Sequence, residues 1–132
     1  MTPADYPNAR SLWEDSPGVG LSTADEQFPL TEYLGRNPGF SLCAECGGHL
    51  IGTVLGGHDG RRGYLYHVAV ATVWQGQGVG RRLVEMALES LQAAGITKAH
   101  IMVYSHNEKG RRFWERLGWK LRDEIALYSC EL

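Results

Sequence analysis

Three glycines at alternate positions, Gly76, Gly78 and Gly80, stand between an apolar run ending near Val73 and the two arginines Arg81 and Arg82. Glycine takes positive φ without strain and lets main-chain N–H groups come close to a ligand. The residues that follow read as a helix, and a helix start offers unpaired N–H groups and the positive end of its dipole. Together these make an anion pocket of the kind that holds a phosphate or pyrophosphate. The arginines add charge-assisted donors. Two phosphate-site patterns fail on the residues themselves. A nucleotide P-loop needs a lysine after its last glycine, and none follows any of these three; a dinucleotide fingerprint starting at Gly76 needs glycine at position 81, where Arg81 stands.

A second group with reactive side chains is Cys43 and Cys46, in CxxC spacing, with His49 three residues on and Cys130 far away. Cys43 falls in a strand pattern and Cys46 in the turn after it. A zinc site needs a fourth ligand in range and a redox pair needs a helix start beside it, and neither is evident. The expectation is no metal and no disulfide scaffold.

These residues sit in a chain of 132, enough for one compact domain, so 1–132 is read as a single domain. Its apolar fraction of 43% and charged fraction of 21% are those of an ordinary globular protein. A formal net charge of −2 lacks the basic footprint of a nucleic-acid binder. No apolar run approaches the ~20 residues that span a bilayer, and the first residues carry no secretory signal pattern. Cytoplasmic location, no nucleic acid and no membrane are therefore expected.

The elements that must position the glycine loop follow from local patterns. Thr2-Pro3-Ala4-Asp5 reads as a helix start, with the helix running to about Asp15 and Tyr6, Ala9 and Trp13 buried. A second helix is expected from Asp25 to Arg36, carrying Phe28, Leu30, Tyr33 and Leu34, although Pro29 disturbs its first turn. Strands are expected over Phe40–Glu45, Leu50–Gly57 and Tyr64–Val73, joined by turns at Cys46–His49 and Asp59–Gly63. Leu83, Val84, Ala87, Leu88, Leu91 and Ala94 repeat with a 3.6-residue period, and Gly95 stands where a C-terminal cap belongs. A fourth strand over Lys98–Tyr104, a short helix over Asn107–Leu117 and one or two tail strands, the better one Ile125–Cys130, complete the pattern. The order gives an α+β fold with a single mixed, mainly antiparallel sheet flanked by helices.

Two segments carry a family resemblance. Val68-Ala69-Val70 followed by Gln75-Gly76-Gln77-Gly78-Val79-Gly80 resembles motif A of the GNAT superfamily of N-acetyltransferases, (R/Q)-x-x-G-x-(G/A). Asn107, with Phe113-Trp114-Glu115-Arg116-Leu117-Gly118-Trp119, resembles the motif that follows it in that family. The stretch Gly52–Gly63 is similar to the YpeA-type subgroup of small bacterial acetyltransferases. The resemblance covers essentially the whole chain and implies the GNAT acyl-CoA N-acyltransferase fold, with acetyl-CoA as co-substrate, an amine as acceptor and no metal. It implies that Gln75, Gly76, Gln77, Gly78, Val79, Gly80 and Arg81 hold the pyrophosphate through main-chain N–H groups. Val68, Ala69 and Val70 run beside the pantetheine arm, next to a slot that a strand bulge opens for the thioester. Asn107 matches the asparagine on the pantetheine or thioester side, and Arg111 or Arg112 reaches the adenosine-side phosphates or stands as a solvated charge.

Acetyl transfer to an amine needs loss of an ammonium proton, a donor for the oxyanion and a proton for the leaving thiolate. Where many relatives carry a tyrosine as the acid, this chain has Trp114, whose indole is no acid; the residue then packs the core under the sulfur. The usual base position is occupied by no carboxylate either, with Met102 where some relatives have glutamate. Tyr64 and Tyr66, on one strand face by period two, and Tyr104, at the end of the next strand, are the remaining acid candidates. His67 is expected on the face opposite the tyrosines, and His106 reads as a loop histidine. Glu14, Asp15, Asp25 and Glu26 are candidates for attracting a cationic acceptor. The absent acid and base keep open a second reading, a non-catalytic acetyl-CoA or CoA-binding sensor or regulatory module. Relatives usually begin with a short strand before the first helix, whereas these residues begin at the helix cap. Either the sheet lacks that edge strand or the sequence starts downstream of the natural one; loss of the strand would leave its neighbour open to pairing in a homodimer.

Overall fold

In the computed structural model, residues 1–132 fold as two compact units, Met1–Met102 and Val103–Leu132. The first unit holds one four-stranded sheet in the order β1-β2-β3-β4, with β1 spanning Leu42–Cys46, β2 His49–His58, β3 Gly63–Val70 and β4 Ala99–Ile101. The β1–β2 and β2–β3 pairs are antiparallel and β3–β4 is parallel, so the sheet is mixed and mainly antiparallel. A two-residue turn at Gly47-Gly48 sets Cys46 opposite His49 and so fixes the first hairpin's register. In the next turn Asp59 Oδ1 accepts the N–H groups of Arg61 and Arg62, each at 2.8 Å.

One face of the sheet carries α1 (Tyr6–Glu14) and α2 (Gln27–Arg36). Ala9, Trp13, Leu30 and Leu34 from these helices close a core cluster with Leu55 and Ala69 of the sheet. Trp13 is 1% exposed, and removal of a ring this buried costs about 3–5 kcal/mol. The helix start at Thr2 is a capping box formed by Thr2 and Asp5, but the first turn is a 3-10 turn, Pro3–Asp5, leading into α1. The second helix likewise starts later than its sequence pattern suggests. Ser22 and Asp25 make a capping box around a 3-10 turn, Thr23–Asp25, and α2 begins at Gln27. Phe28 is 74% exposed, since at about 100° per residue it lies on the side of α2 away from the buried Leu30 and Leu34.

The other face carries α3 (Val79–Ala93), which buries Leu83, Val84, Ala87 and Leu91 as the periodicity predicts. A side chain at Gly63 would put its Cβ 2.7 Å from Leu91 Cδ1, so glycine at the start of β3 is what lets α3 lie this close. Gly95 and Ile96 close the helix, with their N–H groups bonded to Gln92 O (2.9 Å) and Leu91 O (3.0 Å).

Three strand expectations are corrected. β3 ends at Val70 rather than Val73, because the chain turns into a 3-10 turn, Thr72–Trp74, once Ala71 N–H has bonded Ile51 O at 2.8 Å. β4 stops at Ile101, so Tyr104 lies beyond the strand. The tail after Trp119 forms no strand: Ile125 and Leu127 alternate but are 58% and 73% exposed, and an alternating segment without a paired neighbour leaves its ladder groups to water. The second unit is built on α4 (Glu108–Arg116).

Candidate active site

The glycine loop and the strand before it form one continuous surface in the first unit. β4 pairs with β3 only from Gly63 to Leu65, opposite Ala99 to Ile101. From Tyr66 to Val70 the β4-side edge of β3 has no strand partner, and its main-chain groups run toward the loop. Gln75 donates its Nε2 to Val70 O at 2.9 Å and Gln77 donates to Val73 O at 3.2 Å, so both motif glutamines fold the loop back onto the chain before it. Gly76 and Gly78 have φ +78° and +86°, and nothing lies within 4 Å of a Cβ built on either. Glycine is needed there for the left-handed backbone, not for space.

Gly78 is the residue before α3 and has no side chain to cap it. The first helical bond runs from Arg82 N–H to Gly78 O at 3.0 Å, so the N–H groups of Val79, Gly80 and Arg81 lie ahead of the ladder. Gly80 is buried where the helix meets the sheet, while Gln75 to Gly78 are exposed. Arg82 reaches Glu85 (3.8 Å) and Glu89 (3.6 Å) along the helix. Arg81 is exposed and makes no such pair, so Arg81 is the cation left for an anion.

Tyr64 and Tyr66 share a face, as period two requires, with rings stacked at 6.4 Å and 16°. The row continues to His100 on one side, 5.8 Å from Tyr64, and to Tyr33 of α2 on the other, 6.3 Å from Tyr66. Burial, with Tyr64 adding to it, pushes the Tyr66 phenol above its ordinary value, so it stays a neutral hydrogen-bond donor. Burial does the same to Tyr33, whose hydroxyl is enclosed without a hydrogen-bond partner.

The face of His67 is a correction. Leu55 pairs with Tyr66 and Thr53 with Ala69, so β3 spends one more residue than β2 over this step, a β-bulge at His67-Val68. His67 has φ +47°, the one non-glycine residue in the left-handed region. The extra residue resets the alternation and sends His67 toward the helices that also cover Tyr66. Its ring meets Trp13 edge-on at 4.7 Å, and its Nε2 bonds Asp25 Oδ1 at 2.5 Å. Thr53 Oγ1 donates to His67 O at 2.8 Å and accepts from Trp13 Nε1 at 2.9 Å. Asp25 Oδ2 accepts Ser22 N–H at 2.8 Å, and the Asp25 carbonyl accepts Tyr6 Oη at 3.2 Å and Arg10 Nη1 at 3.1 Å. Sequence reasoning left this network out. The Ser22-x-x-Asp25 capping box was its only local signal, and nothing local links it to a histidine 42 residues away. Of the four carboxylates offered for a cationic acceptor, Asp25 is thus committed to His67 and Glu14 to Arg10 at 2.8 Å.

In the second unit Tyr104 is 54% exposed and stacks on His106 at 5.3 Å. Asn107 caps α4, its Oδ1 accepting Gly110 N–H at 2.9 Å. Arg111 donates to Ser105 O at 3.2 Å, and Arg112 lies 3.9 Å from Glu108. Trp114 is buried, edge-on to Phe113 (5.1 Å) and Trp119 (4.6 Å).

Comparison with known proteins places the chain. The model of the acetyltransferase (GNAT) family matches residues 6–119. An acetyltransferase of Pectobacterium atrosepticum is 32% identical over 123 residues, which are 93% of this chain and 86% of that protein. One of Sodalis glossinidius is 29% identical over 128 residues, covering 97% and 89%. The crystal structure of the PaiA N-acetyltransferase of Thermoplasma acidophilum in complex with coenzyme A shares the fold, with a TM-score of 0.77 at 18% identity over 93% of this chain and 88% of that one. With motif A on an open strand edge and an uncapped helix start, and the family matched over most of its length, the chain belongs to the acetyltransferase (GNAT) family and is an acetyl-CoA-dependent N-acetyltransferase.

Proposed function

We propose that acetyl-CoA lies along the free β3 edge at Val68, Ala69 and Val70, with its pyrophosphate in the loop from Gln75 to Arg81, and that an amine attacks the thioester directly in a ternary complex. The observation that carries this reading is the unpaired edge from Tyr66 to Val70 running into two left-handed glycines and the open start of α3. Pantetheine amides have the donors and acceptors of a neighbouring strand, and the helix start favours the phosphates. The second-unit residues Asn107, Arg111 and Trp114 are assigned to the cofactor by the motif resemblance.

In the reaction the ammonium first loses a proton to water, and the neutral amine nitrogen bonds the acetyl carbon. The carbon–sulfur bond breaks with its electron pair leaving on the thiolate, and the nitrogen gives up its second proton to water to leave the amide. Main-chain N–H groups near the bulge stabilise the oxyanion. Tyr64, Tyr66 and Tyr104 are the candidate proton donors to the sulfur. A thiol with pKa near 8.5 is a tolerable leaving group without strong acid help, so positioning supplies much of the rate. The acceptor is an amine of a small molecule or protein, and the expected compartment is the cytoplasm, where acetyl-CoA is available. The outer edge of β1, which pairs with no strand in the sheet, supports association with a second copy.

The test has two stages. Calorimetric titration is expected to show saturable acetyl-CoA binding at one site; its absence would overturn the proposal. Release of the CoA thiol, followed against a panel of amines with mass-spectrometric identification of products, then finds the acceptor. Binding without release on any amine would point instead to a CoA-binding module.

A further inference from the structure

The geometry points to His67 and Asp25 as a positioning pair: a side-chain latch that ties the β3 bulge, and with it the main-chain donors of the thioester slot, to the loop between α1 and α2. The inference rests on the proposed acetyl-CoA site for its catalytic consequence, and on the bulge alone for its structural one.

A bulge at this point needs holding. His67 sits at φ +47°, a backbone that side-chain-bearing residues enter only when their surroundings impose it. Three bonds impose it here. Thr53 Oγ1 holds the His67 carbonyl, Trp13 holds Thr53, and Asp25 takes the imidazole at 2.5 Å. The imidazole and carboxylate side chains are only 12% and 10% exposed, so water competes weakly for their bond. The groups around the pair are named by their bonds. Ser22 holds the other carboxylate oxygen, and Tyr6 and Arg10 of α1 hold the Asp25 carbonyl. Asp25 therefore joins three elements: its own 3-10 turn, α1 and the central strand. The residue after His67 is Val68, the first of the open edge assigned to pantetheine. Rotation of the His67 peptide would turn the N–H groups at Val68 and beyond away from the thioester carbonyl.

The pair acts through the backbone and touches no reacting atom. Its loss should lower kcat more than it weakens acetyl-CoA binding, since the pyrophosphate loop is a separate segment that still holds the cofactor while the pantetheine contacts at Val68 to Val70 loosen. Misplacement of a catalytic donor by about 1 Å costs on the order of a hundredfold in rate.

The variants separate the latch from the strained backbone. His67→Gly adopts positive φ freely but cannot bond Asp25. His67→Gln places an amide nitrogen near the position of Nε2 and keeps the bond. If the latch operates, His67→Gly loses about tenfold to a hundredfold in kcat, its acetyl-CoA Kd rises by a smaller factor than kcat falls, and His67→Gln recovers most of both losses. His67→Asn, which tolerates positive φ but is too short to reach Asp25, carries the same test if His67→Gly folds poorly. A readout that needs no acceptor is amide hydrogen exchange, expected to quicken at least about tenfold over Tyr66–Val70 in His67→Gly relative to α3. Wild-type kcat in His67→Gly, or unchanged exchange at the bulge, would overturn the latch. Absence of turnover in the unaltered protein would instead count against the proposed reaction and leave the exchange result to decide the latch.

Discussion

Replacing Thr53 by valine keeps the side chain's shape and deletes one hydroxyl that makes two bonds. Thr53 is fully buried; its Oγ1 donates to His67 O at 2.8 Å and accepts from Trp13 Nε1 at 2.9 Å. In the variant the indole N–H is left without a partner in a site where Trp13 is 1% exposed, and each such buried group costs about 1–3 kcal/mol. The His67 carbonyl belongs to a partly exposed residue and recovers water more easily, so its loss falls at the low end of that range. The added methyl offsets about 0.8 kcal/mol, for a net destabilisation of about 1–3 kcal/mol. The assay is urea unfolding followed by tryptophan fluorescence. With a slope of about 2 kcal/mol per molar, the midpoint should fall by roughly 0.5–1.5 M. A double-mutant cycle sharpens the test. In a Trp13→Phe background the indole donor is already gone, so Thr53→Val should cost about 1–2 kcal/mol less than it does alone. Strict additivity, or a midpoint unchanged within error, would refute the network.

Three further outcomes follow from the geometry. Gly78→Ala meets no atom within 4 Å and pays only for its φ of +86°, about 1 kcal/mol. Gly78→Asp adds a carboxylate beside the expected pyrophosphate and should abolish acetyl-CoA binding by calorimetry; equal affinities in the two variants would contradict the loop assignment. Tyr66 is raised above its ordinary value near 10. Its contribution to stability is therefore complete below about pH 10 and lost only as pH rises through the raised value, and Tyr66→Phe should remove that alkaline loss. If Tyr66 is the thiolate's donor, Tyr66→Phe lowers kcat with no new limb below pH 10, and Tyr64→Phe tests the alternative. Cys43 is pushed up to about 11, chiefly by burial, so at pH 8 only about one part in a thousand is thiolate. A thiol reagent at that pH should modify exposed Cys46 and Cys130 quickly and Cys43 slowly.

What the sequence determined by itself was local. Alternate glycines before a helix suggest an anion loop because positive φ and close approach are properties of single residues; Gly76 and Gly78 take the positive φ that reading needs, whereas Gly80 lies inside α3. The 3.6-residue period of α3, its Gly95 cap, the helix start at Thr2-Pro3 and the Gly47-Gly48 turn are likewise short-range. The two motifs at their spacing were enough to indicate the family.

Tertiary structure decided the rest. Strand alternation put His67 opposite the tyrosines, and one inserted residue in β3 turned it to the same helices; a bulge exists only in the register between two strands, which no single strand records. β4 is three residues long because β3 pairs with it only to Leu65, and the open slot is the remainder of that edge. Asp25 read as an acceptor-attracting surface charge until the fold supplied a histidine 42 residues on. Hydrogen-bond partners that distant are chosen by the packing of α1 and the 3-10 turn on the sheet, and that packing is where the latch on the thioester slot is made.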